Sequence, residues 1–89
     1  MKDVYLVYET YDEEFREQNG YDESCNIIGI YNNYRKALAY IDNELQLQCE
    51  NDDAWTYKKS INNDMICVDL YFVDEWQYSI YCKKVMVQE

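Results

Sequence analysis

The pattern of hydrophobic and polar positions predicts two strands near the start of the chain, joined by a long acidic connection. Residues 3–11 contain the unbroken run Val4-Tyr5-Leu6-Val7-Tyr8, which is typical of a strand covered at least partly on both faces. A second strand is predicted over residues 26–31. Asn19-Gly20 lies between them and is a strong hairpin signal, so we expect the two strands to form a hairpin with an acidic tip.

Apolar residues at helical spacing predict one amphipathic helix after the second strand. The stripe consists of Tyr34, Ala37, Leu38, Ile41, Leu45 and Cys49. Asn32 or Asn33 is expected to cap the amino-terminal end of this helix, because asparagine accepts hydrogen bonds from the first free amides.

The order of charges along this helix opposes its dipole. Arg35 and Lys36 fall in the first turn, whereas Glu50, Asp52 and Asp53 follow the last turn. Each misplaced exposed charge costs about 0.3–1 kcal/mol. Two interpretations remain open: the acids are retained for a partner, or they have drifted at a tolerable cost.

The second half of the chain predicts two further strands, over residues 65–73 and 76–87, with a turn at residues 62–64. Residues 54–60 are compatible with a strand or with a last helical turn. For the last hairpin, a three-residue loop at 73–75 keeps apolar residues on one face, whereas a two-residue loop at 74–75 mixes the faces. The expected pairs are Phe72 with Trp76, Leu70 with Tyr78, Val68 with Ile80, and Ile66 with Cys82. This register separates Cys82 from Cys67, so a disulfide between them is not expected.

The order of elements predicts the α+β class: a single antiparallel sheet of about four strands (β-β-α-β-β), with one helix on one face. Residues 1–89 are too few for a second core, so the chain is expected to form one domain. The other face of the sheet is predicted to carry Asp69, Tyr71, Ser79 and Tyr81, a mixture that can meet water or a partner.

Composition adds a strong negative charge to this picture. Eighteen acidic and eight basic side chains give a net charge of −10. Such a field repels nucleic acid and anionic lipid and attracts basic surfaces, although acidity also serves solubility. The start of the chain shows no apolar leader and no stretch long enough to span a bilayer, so we expect a cytoplasmic protein that binds no membrane. Its four cysteines are then expected as free thiols.

The residue types that most enzymes need are missing from the sequence. The chain has no histidine, which removes the usual general base and the usual metal ligand. Its two glycines form no phosphate-binding loop, and its cysteines lack the spacing of a zinc site. Residues 51–53 do not have the ligand spacing of a calcium loop. We therefore expect no enzymatic activity, no cofactor and no bound metal.

Surface residues are therefore the candidates for function. Acids concentrate in residues 9–23, 42–53 and 64–75, and eleven tyrosines are interleaved with them. Tyrosine is favoured at interfaces because it combines a rigid ring with a polar tip. Four tyrosines on apolar stripes are assigned to the core, namely Tyr8, Tyr31, Tyr34 and Tyr78. The candidate partner-binding residues are Tyr11, Asp12, Glu13, Glu14, Glu17, Tyr21, Asp22, Glu23, Glu50, Asp52, Asp53 and Tyr57.

Three segments of the first half of the chain carry a resemblance. They are Val4-Tyr5-Leu6-Val7-Tyr8-Glu9, Ile27-Ile28-Gly29-Ile30-Tyr31 and Tyr34-Arg35-Lys36-Ala37-Leu38-Ala39-Tyr40-Ile41. Together they resemble a family of small uncharacterised bacterial and phage proteins, in which a glycine followed by a hydrophobic and an aromatic residue ends a strand before a helix. This resemblance implies no catalytic residues. In overall character, a tiny acidic chain without histidine also resembles phage anti-defence proteins, anti-CRISPRs among them.

These observations lead to one hypothesis and two alternatives. The hypothesis is a small phage or mobile-element protein that inhibits a host defence protein, such as a CRISPR effector, by occupying its basic nucleic-acid-binding surface. It would act as a monomer or homodimer and would not itself bind nucleic acid. The alternatives are an immunity or antitoxin-like protein that neutralises a nuclease, and a housekeeping regulatory module whose acidity serves solubility.

Overall fold

Five strands and two helices follow one another in a computed structural model that describes residues 2–50 and 52–88. They are β1 (Lys2–Tyr11), α1 (Glu13–Gln18), β2 (Cys25–Tyr31), α2 (Tyr34–Cys49), β3 (Trp55–Asn62), β4 (Met65–Phe72) and β5 (Glu75–Val87). The predicted α+β class is confirmed, with five strands where about four were expected. A short helix, α1, was not predicted at all.

All five strands form one antiparallel sheet in the order β2-β1-β5-β4-β3. The predicted hairpin of β1 and β2 is confirmed, and β3, β4 and β5 form a meander. The first and last strands pair in the middle of the sheet and join these two parts. No helix in residues 2–50 and 52–88 is long and apolar enough to cross a membrane.

One face of the sheet is covered by α2, and the core lies between them. The helix begins after Asn33, whose side-chain oxygen accepts a hydrogen bond of 2.8 Å from the backbone N–H of Arg35. The buried residues of the core are Val7, Tyr11, Ala37, Ile41, Leu45, Ile66, Val68, Leu70, Tyr78, Ile80 and Cys82. Three of them come from the predicted helical stripe, so the position and the inner face of this helix are confirmed.

Two of the four tyrosines assigned to the core pack there, and two do not. Tyr78 is buried, and Tyr31 is half-buried against the core. The assignment is wrong for Tyr34, which is 42% exposed, because it lies in the first turn of α2 at the margin of the sheet. It is also wrong for Tyr8, which points to the outer face and stacks on Tyr81 with ring centroids 4.8 Å apart.

The acidic tip of the first hairpin contains α1. Asp12 caps this helix by accepting a hydrogen bond of 3.4 Å from the backbone N–H of Phe15. Glu13 and Glu14 lie in the first turn and Arg16 lies in the last, an order that complements the helix dipole. Part of the acidic run therefore stabilises a local helix.

Of residues 54–60, for which the sequence allowed a strand or a helical turn, residues 55–60 form part of an edge strand and Ala54 lies in the turn before it. β3 pairs along its whole length with β4, from Trp55 opposite Phe72 to Asn62 opposite Met65. Most of its side chains are exposed, and Trp55 is half-buried against the core.

The inner register of the last hairpin is as predicted. Leu70 lies opposite Tyr78, and the Val68–Ile80 and Ile66–Cys82 pairs are also present. All four cysteines are free thiols.

The predicted three-residue loop of that hairpin is wrong. Phe72 pairs with Glu75, which leaves a two-residue loop of Val73 and Asp74 with φ angles of 50° and 64°. These angles are those of a type I′ turn, whose twist matches that of the flanking strands. A register shift just before Tyr71 leaves one extra residue on β5 and restores the expected inner pairs. The bulge also places Trp76 opposite Tyr71 and so moves it to the outer face.

The outer face of the sheet carries the predicted mixture of residues. Asp69 accepts a short hydrogen bond from the Ser79 hydroxyl, which in turn accepts one of 2.8 Å from the Trp76 indole N–H. The Lys58 ammonium lies 5.4 Å from the centre of the Tyr71 ring. This face therefore holds an internally bonded polar network.

Candidate functional site

Acids from three separate parts of the sequence, residues 12–23, 44–53 and 74–75, lie at one end of the sheet. The backbone N–H of Asp12 donates a hydrogen bond of 2.8 Å to the carbonyl of Gln77, which holds the start of α1 against the start of β5. The N–H of Val73 donates one of 2.9 Å to the carbonyl of Ala54, which brings the β4–β5 turn to the start of β3. The connection over residues 12–24, the end of α2 and this turn therefore lie side by side.

We call this region the acidic end. Its carboxylates are those of Asp12, Glu13, Glu14, Glu17, Asp22, Glu23, Glu44, Glu50, Asp52, Asp53, Asp74 and Glu75. Arg16 is the one base within these segments of the sequence. Its guanidinium donates hydrogen bonds of 3.2 and 3.4 Å to the carbonyls of Tyr21 and Asp22, and it lies 3.9 Å from a carboxylate oxygen of Glu17. The acidic end therefore carries a large excess of negative charge.

The remaining bases lie elsewhere, so the charge of the molecule is polarised. They occupy the start of β1, the first turn of α2, the middle of β3 and the end of β5: Lys2, Arg35, Lys36, Lys58, Lys59, Lys83 and Lys84. Helix α2 has the same polarity, because Arg35 and Lys36 lie in its first turn and its last turn reaches the acidic end.

Most of the candidate partner-binding residues predicted from the sequence come together at the acidic end. Tyr11 is the exception in burial: it is 5% exposed, its ring is part of the core, and it stacks on Tyr21 with centroids 4.5 Å apart. This interior position removes Tyr11 from the residues exposed on the outer surface of the acidic end. Tyr21 is 40% exposed and stays in it. Tyr57 is exposed on β3, apart from the acidic segments.

Two of the candidate carboxylates accept hydrogen bonds from backbone N–H groups and so hold local structure. Asp12 caps α1, and the Asp52 carboxylate accepts a hydrogen bond of 3.0 Å from the backbone N–H of Ala54. Their replacement would change local structure as well as charge. The exposed acids that make no such cap, including Glu17 and Asp53, are the better probes of surface charge.

A cleft of about 380 Å³ opens in the acidic end between α1, α2 and the sheet. Its aromatic lining consists of Tyr11, Phe15, Tyr21, Trp55, Phe72 and Tyr78. Phe15 is central, because its ring stacks on Tyr78 at 5.1 Å and meets Trp55 edge-on at 6.5 Å. No local sequence pattern reveals this cleft, because its lining residues come from six separate elements and from the connection that follows α1.

The carboxylate of Glu9 lies at the cleft and is 6% exposed. Its two oxygens accept hydrogen bonds of 2.9 Å from the Tyr11 hydroxyl and 3.1 Å from the Tyr40 hydroxyl. Burial raises the pKa of Glu9, the two hydrogen bonds lower it in part, and the negative charge of Glu44 raises it further. Sequence reasoning counted Glu9 among the surface acids, although the alternation Val7-Glu9-Tyr11 in β1 places it on the helix-covered face.

Glu44 is the second carboxylate that lines the cleft. Burial raises its pKa as well. Burial also raises the pKa of Tyr11, Tyr40 and Tyr78, and the negative charges of Glu9 and Glu44 add to this for Tyr40 and Tyr78. The phenols therefore stay protonated and keep their role as hydrogen-bond donors.

The raised pKa of Glu44 predicts a pH-dependent effect of its replacement. A carboxyl whose pKa is higher in the folded than in the unfolded state favours folding while protonated, and this contribution is lost as the pH rises through the folded pKa. Glu44→Gln should therefore stabilise the protein at pH 7, by less than about 1 kcal/mol because the group is only half-buried. The difference from the wild type should shrink toward pH 4.

Urea unfolding at pH 4 and pH 7 measures this difference. Asp42→Asn is the matched control, because it makes the same charge change two residues away on an exposed position of α2. Equal stabilisation by both variants at pH 7 would show that net charge, and not the burial of Glu44, is responsible.

The chemistry available at this end is that of binding through charge and aromatic surface. Among residues 2–50 and 52–88, no group of three or more cysteine, aspartate or glutamate side chains is placed to hold a metal ion. Comparisons of the chain with known protein families, with curated proteins and with solved structures find no match, so its function must be argued from the charge and geometry of the acidic end.

Proposed function

We propose that this protein binds a basic, nucleic-acid-binding surface of a partner protein and blocks it, as a phage or mobile-element inhibitor of a host defence protein would. The observation that carries the proposal is the convergence of three acid-rich segments, distant in sequence, on one end of the sheet. A CRISPR effector is one class of partner with such a surface.

Charge polarity supports docking through this end rather than a general role of acidity in solubility. An evenly spread charge would serve solubility equally well, whereas a single-signed end steers a basic partner toward one orientation. The segments of the acidic end contain twelve half-buried or exposed carboxylates and one arginine, and that arginine is bonded to its own connection. The charge order of α2 maintains this polarity against the helix dipole.

Exposed apolar side chains at the same end supply a second element of an interface. Tyr21, Phe72, Val73 and Trp76 are 40%, 39%, 64% and 37% exposed. Protein interfaces commonly combine apolar and aromatic contacts with a polar rim. The acidic end has both, because these four side chains lie among its carboxylates.

Charge-neutralising variants test the docking surface. Glu50→Gln/Asp53→Asn removes two charges from the acidic end, and Asp42→Asn/Asp64→Asn removes two from exposed positions outside it. Both variants leave the caps formed by Asp12 and Asp52 intact. Although both have the same net charge, only the first should weaken partner binding, by at least about threefold at low ionic strength.

The measurement begins with a partner recovered from the native host at low salt. Calorimetric titration at two ionic strengths then gives the affinities, and a competition assay reports whether the protein displaces nucleic acid from that partner. Affinity should fall as salt rises, because charges are screened over about 8–10 Å near physiological ionic strength. Equal weakening by both variants, or a partner that keeps its nucleic acid, would contradict the proposal.

A further inference from the structure

The cleft of the acidic end combines aromatic walls with carboxylates, and no base is present among its described lining residues. Besides its six aromatic rings, its lining consists of Glu9, Glu44 and the neutral side chains of Gln18, Asn19, Gln48 and Gln77. Electron-rich ring faces and carboxylates both attract an organic cation. An anion would meet like charge in this cleft.

The walls of the cleft are held in place by packing between the rings themselves. Tyr11 stacks on Tyr21 with centroids 4.5 Å apart, and Trp55 lies 5.4 Å from Phe72. The Tyr78 hydroxyl also donates a hydrogen bond of 3.5 Å to the side-chain oxygen of Gln48 on α2. The cleft is therefore largely formed before any ligand enters, which lowers the entropic cost of binding.

Glu9 places a buried carboxyl group at the wall of the cleft, and no base lines the cleft among residues 2–50 and 52–88. The residue is only 6% exposed, and its carboxyl oxygens accept hydrogen bonds from two neutral tyrosine hydroxyls. Each carboxylate oxygen has a second acceptor position, so Glu9 can accept further hydrogen bonds. A buried carboxylate that lacks a counter-charge is costly, and a cation in the cleft would offset that cost.

We propose that this cleft binds one cationic side chain, the guanidinium of an arginine or the ammonium of a lysine, presented by the partner protein. Its volume of about 380 Å³ lies at the small end of ligand pockets, which matches one long side chain. The inference rests on the proposed function in one respect: the cleft opens in the acidic end, where a basic surface would supply such side chains.

The cleft can be tested without the partner. The probes are N-acetyl-arginine amide and N-acetyl-citrulline amide, which share nearly the same shape but differ in charge. They are titrated into ¹⁵N-labelled protein while the indole N–H resonance of Trp55 is followed. The indole of Trp76, which is bonded to Ser79 on the outer face, is the internal reference. The arginine probe should shift Trp55 saturably, whereas the citrulline probe should leave it unchanged.

Two variants with the same change in net charge locate the site. Glu44→Gln removes a carboxylate that lines the cleft, and Asp42→Asn removes an exposed one on the same helix. Glu44→Gln should weaken arginine binding at least about fivefold, the scale of one charge or cation–π contact. Asp42→Asn should keep it within about twofold, because Asp42 does not line the cleft and its exposed charge is screened.

Equal shifts from the two probes, or equal weakening by the two variants, would overturn the inference. Either failure concerns the cleft alone and leaves docking through the acidic end to its own test. Conversely, Glu50 and Asp53 do not line the cleft, so their double variant should weaken partner binding and leave the arginine titration of Trp55 nearly unchanged.

Discussion

Ile41→Ala is expected to lower the free energy of unfolding by about 2–5 kcal/mol, the range for removing a large aliphatic side chain from a packed core. Ile41 has no exposed surface and is among the largest fully buried side chains. It lies between Ala37 and Leu45 on the face of α2 that covers the sheet. Small domains have only about 5–15 kcal/mol in total, so the loss should be plain in urea unfolding at pH 7.

Leu47→Ala is the control for this variant. Leu47 belongs to the same helix and is 65% exposed, so its replacement should change the stability by no more than about 0.5 kcal/mol. If Ile41→Ala and Leu47→Ala unfold at the same urea concentration, α2 does not cover the sheet through the face described above.

Val73→Asn/Asp74→Gly is expected to raise the stability by about 1–2 kcal/mol, because both residues adopt a left-handed conformation that costs most for a β-branched side chain. Their φ angles of 50° and 64° fit Asn-Gly, the preferred sequence of a type I′ turn. Val73 is also one of the exposed apolar residues of the acidic end. A contact between Val73 and the proposed partner would explain why this residue is kept in a strained backbone conformation.

Thermal and urea unfolding measure this gain. Ile61→Asn is the matched control, because Ile61 is also exposed and β-branched. Ile61 lies in β3, where the extended backbone conformation favours β-branched side chains. The control should lose stability or leave it unchanged. A loss of stability in the turn variant as well would mean that the turn contributes no strain.

The parts of the fold that were predictable have repeated apolar positions. The stripe through Ala37, Ile41 and Leu45 predicted α2, and the alternation along β4 and β5 predicted their inner pairs. Short or exposed elements carry no such signal. α1 is a single short helix, and its capping residue Asp12 cannot be distinguished in the sequence from the other acids of its acidic run. β3 is an edge strand whose side chains are mostly exposed.

The site was predictable in composition but not in arrangement. The sequence identified the acidic stretches, yet their convergence depends on the β1–β5 pairing and on α1, which no local pattern reveals. Tyr11 was assigned to the surface because acids flank it in sequence. Its alternation with Val7 and Glu9 places it inside, and the buried carboxylate of Glu9 follows from the same strand geometry.

The pairing of the first and last strands has a consequence for how fast the chain folds. Lys2 lies opposite Val87 and Tyr11 opposite Tyr78, so the central ladder closes a loop of nearly the whole sequence. The entropy of that closure must be spent before any β1–β5 contact forms, whereas the β1–β2 and β4–β5 hairpins are local. During synthesis on the ribosome, β1 therefore has one unpaired edge until β5 emerges, and the sheet is completed only after β5 has been synthesised.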